Sequence, residues 1–549
     1  MLTPCCVFHR EQVHAPVRRF GRRRFQQAGI ALLVALSLLP APVLARPERV
    51  TTLLAEAQVI GSFAITPDGM DVVYIADEDG DGDAELYRVP VSGGAPVKLN
   101  GPLVANGAVQ FFLISADGGH VIYTADQDVD EQVELYSAPL AGGNVVKLNG
   151  SLIANGNVGP YYEIRTVGDR VLFLADQDVD ELFELFSVEA SGGGLVKLNQ
   201  PIDRAPFSEY LVRYLPTPDG SAVIYLANQE GNGDELYRVP IAGGVSQKLS
   251  APLPSGRRID YHAISPDSQH VVYLVETVRL ESRELYVVPV AGGSVRKLNH
   301  PLKDGLDVRF SEFTPDSRYV VYNFGKDFDS IPELYSVPIA GGAQVRLNTL
   351  GPDAVIEWFA STSDSSRVVY VGGPEANKRQ LYSVPITGGP VVHLSQSPAT
   401  PSVLHDLSLD PIEGRPLFRT AEYPESNNLF LVSVTGGEPA QQNYPLGRDD
   451  SVGRASFSPD GQLVIFEQGQ LDHGRAVYLY AKPVDGSGAR PLAGPMSLST
   501  ARTDFKIAPD STFVVYRRRQ DSTGMVALFV ASLLPFEGDL HTHLPLIQQ

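Results

Sequence analysis

Four aspartates stand at alternate positions in ADEDGDGDAELYRVPVSGG (residues 76–94): Asp77, Asp79, Asp81 and Asp83. The spacing returns in two copies of DQDVDE, at Asp126, Asp128 and Asp130 and at Asp176, Asp178 and Asp180. Several carboxylate oxygens at close range are what a hard cation takes, so the chemistry these residues could do is to bind Ca2+. Gly82 falls where a helix-flanked calcium loop turns sharply, but Arg88 stands where that loop needs its bidentate carboxylate. Glu131 and Glu181 replace the glycine in the other two copies. Two carboxylates about 5 Å apart repel by roughly 0.8 kcal/mol in water and about 3 kcal/mol at an effective dielectric near 20. Splayed turns tolerate the first figure, and converging ones require a cation. The pattern therefore reads first as an acidic turn and second as a Ca2+ loop. Ca2+ is the only cofactor the sequence suggests, and added calcium would then raise the melting temperature.

Other chemistry is sparse. The chain has no G-x-S-x-G elbow, no phosphate-binding loop and no H-E-x-x-H. His541 and His543 lie two apart, which on a strand puts both on one face, but no third ligand is near in sequence. No catalytic residue is assigned.

The acidic stretches belong to a repeat. Glycine pairs begin at Gly93, Gly142, Gly192, Gly243, Gly292, Gly341, Gly388 and Gly436, 47 to 51 residues apart. Upstream of each, an aromatic closes an apolar triplet, from Tyr74 to Phe418, and Phe466 and Tyr516 continue the series to ten units. Each unit reads as four short strands: FAI up to a Pro-Asp-Gly turn, DVVYIA, ELYRVPV after the acidic turn, and APVKLN. Gly93-Gly94 suits a tight hairpin with a primed turn. Pro90 implies a bulge or a ladder position that needs no donor. The glutamates Glu85, Glu134, Glu184, Glu235, Glu284 and Glu333 recur once per unit, which is the mark of a structural hydrogen bond.

A four-stranded meander cannot cover both of its faces, and ten of them around an axis can. The expected fold is all-β, a β-propeller of about ten four-stranded blades. One ring is favoured by the even spacing, and two stacked five-blade rings would give the same count. RVTTL (residues 49–53) sits where it could supply the last blade's fourth strand and close the circle.

ISPDSQHVVYLV…ELYVVPVAGGSVRKLN (residues 264–299) resembles the WD40-like repeat of TolB-type periplasmic propellers. The resemblance is strong over residues 60–400 and weaker beyond. With one tryptophan, Trp358, the chain does not resemble true WD40 or Kelch repeats. The resemblance implies the repeat architecture and an exported location. The TolB role itself, bridging envelope components, goes with six blades and an N-terminal α/β domain that this sequence does not show. Some sugar lyases of related repeat type work in the central funnel. On the strands that would line a funnel, Arg213 and His262 are the candidates. That makes a polysaccharide lyase the enzymatic alternative.

The ends agree with export. Arg18, Arg19 and Arg22–Arg24 precede AGIALLVALSLLPAPVLA (residues 28–45), which reads as a cleaved signal peptide over 1–45, by a twin-arginine or a Sec route. Both cysteines, Cys5 and Cys6, lie inside it, so residues 46–549 rest on their own core. Six arginines and one glutamate leave with the signal, taking the net charge from −20 to −25. Such a surface repels phosphate backbones and anionic lipid heads, so nucleic acid and a membrane span of the mature chain are not expected. The expected function is that of a non-enzymatic binding or scaffold propeller, periplasmic or secreted. Its partner would be a protein or a cationic surface docked on an acidic rim formed by the turns of three adjacent blades.

Overall fold

The computed structural model describes residues 51–534, apart from positions 56–57, 79, 161–162, 203–212, 232, 255, 278–281, 301–306, 326–332, 350–354, 374–378, 396–401, 404–406, 423–425, 448–449, 471–474, 497–503 and 520–525. The expected signal segment, Asp79, His541 and His543 lie outside the described residues. The fold is a β-propeller of ten antiparallel blades. Blades 1 to 5 span 58–98, 109–147, 165–197, 213–248 and 257–297, and blades 6 to 9 span 307–346, 355–393, 402–441 and 451–496. In blade 8 the first position is shared by two short strands, Ser402–Val403 and Ser408–Leu409, both paired to Pro416–Glu422.

Blade 10 is built from both ends of the chain. Phe505–Ile507, Phe513–Arg519 and Val526–Ser532 supply three strands, and Thr51–Ala55 pairs antiparallel with the last of them, Thr51 opposite Ala531 and Leu53 opposite Phe529. The expected closing strand is therefore where the sequence placed it.

The ring is single because the apolar packing runs unbroken from blade to blade. Ile75 and Leu86 of blade 1 pack with Phe112 and Tyr123 of blade 2. Leu274 and Leu285 of blade 5 pack with Val320 and Tyr322 of blade 6, where two five-blade rings would have parted. Val515 and Leu528 of blade 10 pack with Phe63 and Tyr74 of blade 1. Ten such clusters join ten blades, so neither face of any sheet is left to water.

Second strands carry unalternated apolar runs because both of their faces are covered: Val72, Val73 and Tyr74 are each fully buried. In every blade the second-strand aromatic stacks on an aromatic of the third strand. Centroid separations run from 5.1 Å for Tyr370–Tyr382 to 5.9 Å for Tyr74–Tyr87, and Tyr273–Tyr286 lie 5.6 Å apart. Such pairs contribute about 0.5–1.5 kcal/mol beyond burial.

The turns between first and second strands are fixed by side chains. Thr66 Oγ1 donates to Asp68 Oδ1 at 2.6 Å and accepts from the Asp71 amide at 3.0 Å. The Thr66 hydroxyl, with the Met70 amide, holds the Asp68 carboxyl below its ordinary value. Ser115–Asp117, Thr217–Asp219, Ser265–Asp267, Thr314–Asp316 and Thr362–Asp364 repeat the arrangement. Where other blades use glycine, Ser268 and Ser317 hold φ of 62° and 60°. Their hydroxyls accept from the amides of Asp219 and Asp267 in the preceding blade, both at 3.0 Å.

The glycine-pair hairpin differs from the expected primed turn. Its hydrogen bond runs from the Gly93 amide to the Pro90 carbonyl at 2.9 Å, so Val91 and Ser92 are the central residues. Gly93 then takes φ 86° and Gly94 φ 146°. A glycine bulge after an ordinary turn supplies the reversal, a common three-residue hairpin. Pro90 closes the third strand, where no donor is required.

Candidate functional site

The acidic turns join the second and third strands and share one rim with the blade-to-blade linkers. In blade 2, Asp126 is buried and its carboxylate accepts from the Ala108 amide of the linker at 2.7 Å and from the Glu131 amide at 3.4 Å. Asp176 does the same in blade 3, accepting from the amides of Asn157 and Glu181. In blade 1, Asp77 accepts from the Gly80 and Gly82 amides at 2.7 and 3.2 Å, and Asp81 from the Asp83 amide at 3.0 Å. The first aspartate of each turn is thus a backbone cap that shapes the turn and, in blades 2 and 3, ties it to a linker.

The next aspartates are engaged by lysines of the fourth strands. Asp128 Oδ2 lies 2.6 Å from Lys147 Nζ, and Asp178 Oδ2 lies 2.6 Å from Lys197 Nζ. Each lysine also meets the recurrent third-strand glutamate, Glu134 or Glu184, at 2.7 Å. Glu134 accepts in addition from the Tyr136 hydroxyl at 2.8 Å. Glu85, Glu235, Glu284 and Glu333 hold the corresponding tyrosines and a lysine or arginine in their own blades. These glutamates are structural, as their recurrence implied.

Of the ten carboxylates read as calcium ligands, the structure draws Asp77, Asp126 and Asp176 inward onto amides and leaves Asp81, Asp128, Asp130, Asp178 and Asp180 exposed at the tips. Asp83 is half-buried. Among the described residues no three His, Cys, Asp or Glu side chains gather closely enough to hold a metal ion. In blades 2 and 3 the first aspartate faces a linker amide and the second a fourth-strand lysine, so the described carboxylates of these turns point apart. What the turns do create is an arc of exposed carboxylates on blades 1 to 3, joined by Glu131 and Glu181 at φ 62° and 61°. Val129 and Val179 stand exposed between the aspartates.

A second group of charges lies on the first strands, which line the axis. In blades 5, 6 and 7 the first strand bulges near its start, and Asp260, Arg309 and Glu357 fall in the bulge. A bulge re-aims a side chain. Asp260 pairs with Arg283 at 2.7 Å, Arg309 with Asp307 at 2.7 Å, and Glu357 with Arg379 at 2.5 Å. Arg213 Nη1 donates to the Asp260 carbonyl at 2.8 Å. His262, the other funnel candidate, takes a place filled by Phe63, Phe112 and Tyr214 in other blades and is buried. Burial, which opposes its charged form, lowers its pKa to about 4, so the ring is neutral at pH 7.

Asp307 and Glu312 share the first strand of blade 6. Burial raises Asp307 to about 6 and Glu312 to about 7. Glu312 Oε1 accepts from the Ser361 amide and hydroxyl at 2.8 and 3.0 Å, so the ionised form is held but not fully compensated. A carboxyl whose folded pKa exceeds its unfolded value destabilises the fold progressively as pH rises from the unfolded value to the folded one. For Glu312 the window is pH 4.5 to about 7, and the full effect is at most about 3 kcal/mol. Glu312→Gln keeps the acceptor for Ser361 and removes the charge. The expected result is a protein more stable than the parent at pH 8 by about 1–3 kcal/mol and unchanged at pH 4.5, measured by urea denaturation at the two pH values.

These inner-strand charges escape a reading by pattern. RFSEF, IEWFA and TDFKIA replace the apolar FAI and FFLIS of earlier repeats, and that substitution was the available signal. Alternation along a strand cannot place a bulged residue.

The sequence matches no protein-family profile and no curated protein. Among solved structures it is similar to the tricorn protease, at 15% identity and a TM-score of 0.35 over 79% of this chain and 43% of that one. It is similar to a prolyl endopeptidase at 12% identity and a TM-score of 0.38, covering 67% of this chain and 55% of that one. It is similar to a eukaryotic initiation factor at 12% identity and a TM-score of 0.46, covering 77% of this chain and 95% of that one. This chain thus spans less than half the length of the tricorn protease chain.

Proposed function

We propose that the protein is an exported, non-enzymatic binding propeller with TolB-like repeats. It would work in the periplasm or outside the cell and hold a basic protein surface on the acidic arc of blades 1 to 3. The observation that supports this reading is the repeated construction of the tips. In blades 2 and 3 a buried aspartate and a lysine–glutamate pair hold the turn in the same shape twice over, and the exposed carboxylates ride on that support. Two such tips one blade apart present acidic side chains at a fixed spacing. Like charges held so are uncomfortable alone and favourable to a cationic partner.

Asp130→Lys combined with Asp180→Lys tests the arc without touching the lysine-bound Asp128 and Asp178. The expected result is at least a tenfold loss of affinity for a hexalysine probe, followed by fluorescence polarisation, and loss of the basic proteins retained from an envelope fraction. The melting temperature should stay within about 1 °C, since surface changes away from packed features are small. Unaltered probe affinity in the folded double variant removes the arc as the binding surface.

A further inference from the structure

Cations collect on the inner surface where the ring closes. Arg454 of blade 9, Lys506 and Arg517 of blade 10, and the ring of Phe63 in blade 1 form one cluster. Lys506 Nζ lies 6.0 Å from the Phe63 centroid and the Arg517 guanidinium 5.9 Å from it, so two cations flank a single ring. The Arg454 guanidinium covers Phe505 at 5.2 Å. Asp504 links the two arginines, 2.5 Å from Arg454 and 3.8 Å from Arg517. Arg517 Nη1 also donates to the Gly61 carbonyl across the seam at 2.9 Å.

The charge balance sets this place apart. On the first strands of blades 3, 5 and 6, Arg165, Arg258 and Arg309 each pair with a carboxylate, Glu163, Glu276 and Asp307. At the seam Arg454 and Arg517 share Asp504, and the buried Glu467 carboxylate accepts from the Arg454 backbone amide at 3.3 Å. Among the described residues Lys506 meets no carboxylate at ion-pair distance, and Arg454 keeps half of its side chain exposed. Among the described residues, those exposed on the first strands are Ser62, Gln110, Arg213, Phe310, Arg454 and Lys506, without a carboxylate among them. The whole chain carries 64 acidic against 44 basic residues, so the clustering runs against the protein's own charge.

We infer that Arg454, Lys506 and Arg517 form a binding site for a small organic polycarboxylate. Guanidinium forks match planar carboxylates, and a flexible ammonium beside them accepts a second one. The two phenylalanine rings beneath hold the cations in place by their π-faces and keep them apart from water on one side. A bound polycarboxylate would touch blades 9 and 10 beside the contact to blade 1, so its binding tightens the closure of the ring. The ligand is either a free di- or tricarboxylic acid or the uronate groups of a short acidic sugar. Both offer the same carboxylates at different spacing.

Calorimetric titration with citrate, and separately with trigalacturonate, tests the site on the full mature chain, with sodium chloride at matched ionic strength as the reference. Sub-millimolar binding of at least one probe and a melting temperature raised by several degrees are expected. Lys506→Gln and Arg454→Gln should each weaken that binding at least tenfold while leaving the ligand-free melting temperature in place. Stronger binding of trigalacturonate assigns the sugar-borne carboxylates, and stronger binding of citrate the free acid. The paired change Asp130→Lys and Asp180→Lys on the rim should leave the titration unaltered, which separates this site from the arc. No heat beyond that of the salt reference, or parental affinity in either single variant, overturns the assignment.

Discussion

Deleting residues 46–55 should open the ring. The strand Thr51–Ala55 is the fourth strand of blade 10, and its ladder to Val526–Ser532 joins the two ends of the chain. Four Cα partners are lost, worth about 1 kcal/mol per hydrogen bond. The constraint that holds blade 10 against blade 1 goes with them. That contact is the cluster of Phe63, Val72, Tyr74, Val515 and Leu528. A loss on the order of 5 kcal/mol follows from the ladder and the loosened contact together. The freed edge of Val526–Ser532 also becomes a template for another chain, so the truncated protein should associate as its concentration rises. Thermal unfolding and sedimentation of the parent and the truncation check both effects. A truncated protein that melts at the parental temperature and stays monomeric would show that the closing strand is dispensable.

Tyr273→Ala should cost about 3–5 kcal/mol, in line with other large-to-small changes of buried aromatics. Tyr273 is 1% exposed, stacks on Tyr286 at 5.6 Å, and packs with Ile224 and Leu236 of the preceding blade. The cavity would therefore open at the boundary of two blades, and repacking would have to move both. Tyr273→Phe retains the ring and should cost under about 1.5 kcal/mol. Equilibrium denaturation of the three proteins separates these figures. Equal losses for the two variants would assign the effect to the hydroxyl, and a loss below about 1 kcal/mol for the alanine would mean that the blade boundary is not tightly packed.

The architecture was legible because it repeats. A glycine pair every 47 to 51 residues and an aromatic at the end of each second strand are enough to count ten blades, and the ten stacked aromatic pairs are the physical reason for that periodicity. The closing strand was legible for a different reason: the last unit is one strand short and the first has one to spare. The recurrent glutamates were legible as architecture, and Glu134 with Tyr136 and Lys147 shows what they do. Less was legible in the acidic turns. Alternate aspartates suggest convergence, yet Asp126 turns inward to a linker amide while Asp128 turns out to Lys147, and only the neighbouring blade element decides that. The seam cluster was invisible in one dimension. Arg454 and Arg517 are 63 positions apart in sequence and meet through Asp504 when blade 10 packs on blade 9, and Lys506 and Arg517 reach Phe63 of blade 1 only once the ring has closed.

Ten blades lean on one another in one closed circle. Single-particle electron microscopy of residues 46–549 would show the circle in projection. End-on views should show one disc with ten radial lobes around a central hole. Two smaller five-lobed rings, or an open arc with separated ends, would contradict it.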